Sequence, residues 1–171
     1  ANSAILIDSK SDVVDIETYN SAQISISLWY QYHGFSNDTG NNMNVLLSRN
    51  GGHFSHLLVY HNQGNYGDNA NEIGFHNYGD KSSGVALTVG QWYHITVVKD
   101  GGNHKTYLNN ELIQNTNQSF SNSSYPVSVI GNSTSGGQGA LGIIDDVQIF
   151  NRILGTDEVA SLYSATDVVE Q

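Results

Sequence analysis

The sequence predicts an all-β protein, an antiparallel sandwich of two sheets with one short helix at its C-terminal end. Short apolar runs alternate with polar residues at every second position, as in strands that bury one face. The stretches between these runs are rich in Asn, Ser and Gly, with 18 Gly and 1 Pro, which is typical of many tight turns. Only the segment after Thr156 has the apolar spacing of a helix.

Twelve strands are expected along the chain. Their predicted ranges are 4–8, 12–17, 23–32, 44–49, 55–61, 72–78, 84–88, 92–99, 104–109, 111–114, 126–130 and 140–150. Alternation is clearest in the third, where apolar residues occupy positions 24, 26, 28 and 30. Two dipeptide signals, Asp100-Gly101 and Asn109-Asn110, favour tight reversals with positive φ between later strands.

The helix is expected to follow the last strand. Thr156 can cap its first turn, and the acids Asp157 and Glu158 suit the positive end of the helix dipole. An apolar stripe for packing against a sheet is supplied by Val159, Leu162 and Tyr163.

Length and charge limit the possible functions. A chain of 171 residues fits a single domain over residues 1–171. The net charge of −10 disfavours nucleic acid and anionic membrane surfaces as partners. No apolar run approaches the roughly 20 residues that membrane insertion as a helix requires. With no Cys, disulfides, thiolate zinc sites and thiol nucleophiles are excluded.

Three segments carry a family resemblance: Ala22–Tyr32, Gly90–Ile113 and Gly139–Tyr163. Together they resemble the early core strand, the Trp-containing strand with its Asp-Gly turn, and the closing strand of laminin-G-like modules in the concanavalin A-like lectin/glucanase superfamily. The resemblance implies a jelly roll, secretion and attachment to a larger glycan-active enzyme or adhesin.

The same resemblance implies a structural calcium ion. Modules of this family often carry one, and Asp145 matches an Asp at the opening of the last strand. Asp8 and Asp38 are the candidates for a second acid in an oxygen shell of this kind. Solvated turn acids are the alternative reading of Asp8 and Asp38.

The strand alternation predicts a binding surface. If Leu57, Val59, Ile95 and Val97 face the core, the residues between them point outward. Should these strands be neighbours, the outward set forms one exposed face with Trp29, Gln31, His56, Tyr60, His76, Tyr78, His94, Lys105 and Tyr107. Aromatic rings stack on the apolar faces of sugars, and imidazole, amide and ammonium groups bond their hydroxyls.

Other interpretations of these residues stay open. Trp29 and Trp92 could be core residues, since large aromatic side chains are usually buried. Each histidine could be an ordinary hydrogen-bonded side chain. A zinc site formed by His56, His76 and His94 would require their nitrogens to converge at about 2.0 to 2.1 Å from the metal.

The expected function is that of a non-catalytic carbohydrate-binding module, which targets a secreted enzyme or adhesin to a polysaccharide or oligosaccharide. Asp145 and Asp146 are adjacent, so strand alternation places them on opposite faces, unlike the same-face carboxylates of jelly-roll glycosidases. The alternatives are a protein-binding or structural spacer domain of an adhesin, or a jelly-roll polysaccharide lyase. For the lyase, only Arg49 and Arg152 could recognise uronate carboxylates.

Overall fold

The computed structural model describes residues 4–35, 43–49, 55–60, 71–76, 80–117, 126–133 and 137–165. Over these residues the strands are β1 Ile5–Ile7, β2 Val14–Tyr19, β3 Gln23–Tyr32, β4 Met43–Ser48, β5 Ser55–Tyr60, β6 Glu72–His76, β7 Asp80–Ala86, β8 Trp92–Asp100, β9 Asn103–Leu108, β10 Glu111–Asn117, β11 Val127–Ile130 and β12 Gly142–Phe150. The helix α1 spans Thr156–Ala165. All twelve strand predictions and the helix are confirmed; β3 has the predicted ends, and the other strands differ from their predicted ranges at one or both ends.

The strands form two six-stranded antiparallel sheets. Sheet 1 has the order β1-β12-β3-β8-β9-β10, and sheet 2 has the order β2-β11-β4-β5-β6-β7. The predicted two-sheet antiparallel β-sandwich of jelly-roll type is therefore confirmed. No helix within the described ranges has the length and apolar composition of a membrane-spanning segment.

The main hydrophobic core lies between the two sheets. Sheet 1 contributes alternate residues of β3, including Ile24, Ile26 and Leu28, while sheet 2 contributes residues such as Leu57 and Val59. Burying each such side chain contributes about 1.5–3 kcal/mol. Residues of β3 between these positions consequently point to the outer face of sheet 1.

Two β-bulges interrupt the alternation at places that matter for the site. In β5 the register with β6 shifts between Ser55 and Leu58. In β12 the register with β3 shifts between Asp145 and Gln148, and Asp146 has a φ of 46°. A bulge adds a residue on one strand and redirects the side chains around it.

Helix α1 packs against the outer face of sheet 1. Val159 of the helix and Leu154 before it form a small apolar cluster with Val98 and Tyr107. The cap differs from the prediction: Thr156 is the first helical residue, and Glu158 Oε2 accepts a hydrogen bond from Gly155 N–H at 2.9 Å. This reach-back is the Glu half of a capping box.

Candidate functional site

The predicted single binding face is wrong, because its strands belong to different sheets. His56, Tyr60 and His76 lie on β5 and β6 in sheet 2, whereas His94 and Tyr107 lie on β8 and β9 in sheet 1. The nine predicted residues therefore cannot share one surface. The zinc alternative is also wrong, because His94 lies on the outer face of sheet 1 beside Tyr163, whereas His56 lies between the two sheets.

His56 lies in the interior and not on an outer face. It is 3% exposed, and Lys99 Nζ of sheet 1 is 2.9 Å from its Nδ1. The bulge in β5 accounts for this, since it breaks the two-residue period that the prediction used. Pro126 O can only accept, so His56 Nε2 donates to it at 3.2 Å, and Nδ1 accepts from Lys99.

Tyr60 points away from the main core, as predicted, but it is only 2% exposed. It packs in a separate cluster with Val45 and Leu58. Its hydroxyl donates to Phe75 O at 2.7 Å and accepts from Lys81 N–H at 3.0 Å. Tyr60 is therefore a structural residue that ties β5 to β6 and β7.

Two further residues of the predicted face are His76 and Tyr78. His76 is half-buried at the end of β6. Tyr78 lies outside the described residues.

On sheet 1, His94 and Tyr107 do face outward, but helix α1 covers them. His94 is 2% exposed and its ring lies 5.7 Å from that of Tyr163, while Tyr107 is 4% exposed beneath the helix cluster. Lys105 is half-buried opposite Val98. The helix thus removes these residues from the predicted open surface.

Trp29 and Gln31 remain at a partly exposed surface on the outer face of sheet 1. Gln31 lies directly opposite Trp92 on β8 and opposite Ile143 on β12, and Ile143 lies opposite Leu6 on β1. Side chains of directly paired residues project from the same face. We call the set of Leu6, Ile143, Gln31, Trp92 and Trp29 the Trp strip.

The Trp strip is open and apolar with a polar centre. Trp92 is 37% exposed and Leu6 is 57% exposed. Gln31 Oε1 accepts from His33 Nε2 at 3.0 Å, and Gln31 Nε2 donates to Gly90 O at 3.2 Å. From Leu6 to Trp92 the Trp strip crosses four neighbouring strands, and three spacings of about 4.8 Å make it about 14 Å long.

Trp92 is the residue that the sequence prediction missed. Large aromatic residues are usually buried, and that general rule favoured the core. The signal that could have found it is local: Trp92 is two residues from His94, so the alternation that turned His94 outward also turns Trp92 outward.

The bulge in β12 brings both carboxylates to the side of the Trp strip. Asp145 lies opposite Trp29 in the register. Asp146 Oδ2 accepts from Gln148 Nε2 at 3.0 Å, and Gln148 lies opposite Ser27 on the same outer face. The prediction that Asp145 and Asp146 occupy opposite faces is therefore wrong.

His94 is a neutral imidazole under the helix. Burial lowers its pKa to about 4, although the nearby carboxylate of Asp146 acts to raise it. Its Nε2 is hydrogen-bonded to Ser27 Oγ at 2.8 Å, and its Nδ1 has no hydrogen-bond partner. The indole of Trp29 lies 5.2 Å away from the His94 ring.

A family comparison agrees with this geometry. A laminin G family model, described as the concanavalin A-like lectin/glucanases superfamily, matches residues 8–160. The chain belongs to this superfamily. A comparison with curated protein sequences found no match. That residues 1–171 form one domain stays a prediction.

Solved structures of other proteins show the same fold. Domain 4 of an extracellular arabinanase from Geobacillus stearothermophilus has a TM-score of 0.67 at 17% identity, over 92% of this chain and 75% of that one. A heptameric pentraxin from Limulus polyphemus has a TM-score of 0.63 at 18% identity, over 98% of this chain and 84% of the pentraxin chain. A sialidase from Trypanosoma rangeli has a TM-score of 0.61 at 13% identity, over 85% of this chain and only 23% of that one.

The calcium site implied by the superfamily cannot be formed by Asp145 with Asp8, while a site with the other candidate acid, Asp38, stays a prediction. Extending the β1–β12 register places Asp145 opposite residue 4, four residues from Asp8, or roughly 13 Å along the strand. Calcium ligands lie within about 2.3–2.6 Å of the ion, so these two acids cannot share it. Asp38 lies outside the described residues, which contain no group of three or more His, Cys, Asp or Glu side chains placed to hold a metal.

Proposed function

We propose that this lectin-like chain is a non-catalytic carbohydrate-binding module and that the Trp strip is its binding surface. The observation that carries the proposal is Trp92, an indole that is 37% exposed on a regular strand, beside a second tryptophan on the same face. Trp92 and Trp29 are diagonal neighbours, with Cα atoms about 7–8 Å apart.

The chemistry of the strip suits a sugar chain. Indole faces stack on the C–H faces of sugar rings, while the Gln31 amide and the His33 imidazole can bond hydroxyl groups. A strip about 14 Å long would hold a short stretch of an oligosaccharide. In support, the arabinanase domain of similar fold is described in complex with arabinotriose.

Charge favours a neutral glycan. Asp145 and Asp146 border the strip, and the whole chain carries a net charge of −10. A uronic or sulfated polymer would meet repulsion at this surface. The module would act by keeping a larger secreted enzyme or adhesin close to its polysaccharide, a role in keeping with the extracellular arabinanase that contains the similar domain.

A protein partner is the second candidate, and one observation favours it. The β1 end of the strip is aliphatic, with Leu6 at 57% exposure beside Ile143. Exposed aliphatic surface of this kind is typical of protein contacts. If the partner is a protein, the aliphatic end and not the indole end carries the affinity.

The test is a Trp92→Ala variant on a glycan array, followed by affinity electrophoresis with the best neutral ligand. Loss of the stacking platform is expected to weaken binding about tenfold or more, at roughly 1.5 kcal/mol for an aromatic contact. Leu112→Ala is the matched control, because Leu112 is also exposed, at 46%, but is outside the strip. Equal retention of wild type and Trp92→Ala would refute the proposed surface.

A further inference from the structure

A polar layer lies under helix α1, next to the Trp strip. Ser27, His94 and Thr96 occupy neighbouring positions on the outer face of sheet 1, each at most 2% exposed. His94 Nδ1 and Thr96 Oγ1 have no hydrogen-bond partner. Buried polar atoms in native proteins usually have one, so these two atoms point to a group that the layer can bind.

Tyr163 closes this layer on the side of the Trp strip. Its ring is stacked on Trp29, with centroids 6.0 Å apart and planes at 24°, and lies 5.7 Å from the ring of His94. Tyr163 therefore covers one face of the Trp29 indole, and a sugar ring could stack there only if Tyr163 moved. It is itself 37% exposed, so one side of its ring is in solvent.

Other residues hold the helix on the sheet. Leu154 and Val159, with the partly buried Leu162, pack on the apolar cluster that includes Val98 and Tyr107. Tyr163 follows Leu162 in the last described turn and belongs to no part of this cluster. Because exposed side chains change rotamer readily, the Tyr163 ring can turn away from Trp29 while these contacts keep the helix in place.

We propose that Tyr163 is a displaceable cover over a second sugar subsite, formed by the indole face of Trp29 with His94 and Thr96. The inference rests on the proposed function of the Trp strip, since Trp29 belongs to both. A neutral glycan lying on the strip would place its next residue there after Tyr163 moves aside. Its hydroxyl groups would then satisfy His94 Nδ1 and Thr96 Oγ1.

The subsite would take a neutral sugar. His94 is uncharged in the folded protein, and the negative charge of the Asp146 carboxylate is close enough to influence the pKa of His94. A sugar carboxylate or sulfate would enter a buried layer that offers no positive charge from His94, and Asp146 would repel it. A hydroxyl group can both donate and accept, so it suits the imidazole nitrogen in either tautomer.

The experiment compares wild type, Tyr163→Ala and Tyr163→Phe. Each is screened against short oligosaccharides of arabinan, xylan, glucan and mannan, with polygalacturonate oligosaccharides as the anionic set, and the best neutral ligand is measured by calorimetry. If Tyr163 competes with the sugar, Tyr163→Ala binds about 2- to 10-fold tighter, which is the value of one aromatic stack. Tyr163→Phe keeps the ring and should match wild type.

Thr96→Val in the Tyr163→Ala background should remove part of the gain, because valine keeps the shape of threonine without its hydroxyl. Weaker or unchanged binding by Tyr163→Ala, alongside measurable wild-type binding, would overturn the cover while leaving the Trp strip in place. No binding to any glycan by wild type or Tyr163→Ala would overturn both proposals. Circular dichroism of each variant checks that the fold persists.

Discussion

Raising the pH from 7 to 9 is expected to stabilise this protein, because Lys99 lies between the two sheets. It is 1% exposed, and its Nζ is hydrogen-bonded to His56 Nδ1 of the opposite sheet. His104 on β9 lies directly opposite Lys99 and is also buried. Its ring is stacked on that of Phe75, with ring centroids 4.0 Å apart. Three groups act electrostatically on His56, and all three are basic: Lys99, His104 and Arg49.

Burial lowers the pKa of Lys99 from 10.5 to about 7. Between these two values the unfolded chain holds a proton that the folded chain has released, so the free energy of unfolding rises with pH. This difference in pKa between the folded and unfolded chain lowers the free energy of unfolding by about 4 kcal/mol at pH 7, and about 2 kcal/mol of that loss is recovered by pH 9. Below pH 7 both states are protonated and the whole cost remains.

The rise should end near pH 10. Burial raises the pKa of Tyr30, and likewise of Tyr32, above the ordinary value of 10. Above pH 10 the unfolded chain therefore loses protons that the folded chain retains, and stability falls. The useful window for the measurement is pH 7 to 9.

The assay is urea denaturation at pH 7, 8 and 9, followed by circular dichroism and Trp fluorescence. In Lys99→Met the rise with pH should disappear, while Lys105→Met, changed on the outer face of the next strand, should keep it. Stability at pH 7 increases in Lys99→Met by less than the full 4 kcal/mol, since His56 Nδ1 loses its donor at a cost of about 1–3 kcal/mol. A wild-type protein with equal stability at pH 7 and 9 would refute the reasoning.

Two further predictions concern the buried histidines and the helix. Burial lowers the pKa of His56 and of His104 well below 6.5. Because the unfolded chain alone then gains protons below pH 6.5, the free energy of unfolding should fall by up to about 1.4 kcal/mol per pH unit for each histidine. Urea midpoints that stay unchanged down to pH 5 would contradict this prediction. Val159→Ala, in a residue that is 0% exposed, should lower the free energy of unfolding by about 1–3 kcal/mol; thermal melts would measure this, with the exposed Ser164→Ala as the unchanged control.

The predictions that succeeded depend on local pattern. The alternation in β3 correctly placed Ile24, Ile26 and Leu28 inward and Trp29 and Gln31 outward. A regular strand alternates whatever it packs against, so sequence suffices. His56 was misplaced because a bulge is an irregularity that the spacing of apolar residues does not reveal.

The candidate site was predicted less well because it depends on which strands are neighbours. Outward direction was correct for His94, but exposure was not, because helix α1 covers that part of the sheet. For Trp92 the error was the reverse, because this exposed residue was expected in the core. The general preference of tryptophan for the interior was given more weight than its position in the strand alternation.

Local patterns in the sequence are enough to predict the sandwich class, the strands, the C-terminal helix and the face of β3 that each residue occupies. These follow from steric and apolar patterns within a few residues of each other. Three features follow from the complete fold instead: β5 and β8 lie in different sheets, Lys99 contacts His56 between those sheets, and Tyr163 stacks on Trp29. Contacts between residues far apart in the chain depend on strand order and helix docking, which the packing of the whole core selects.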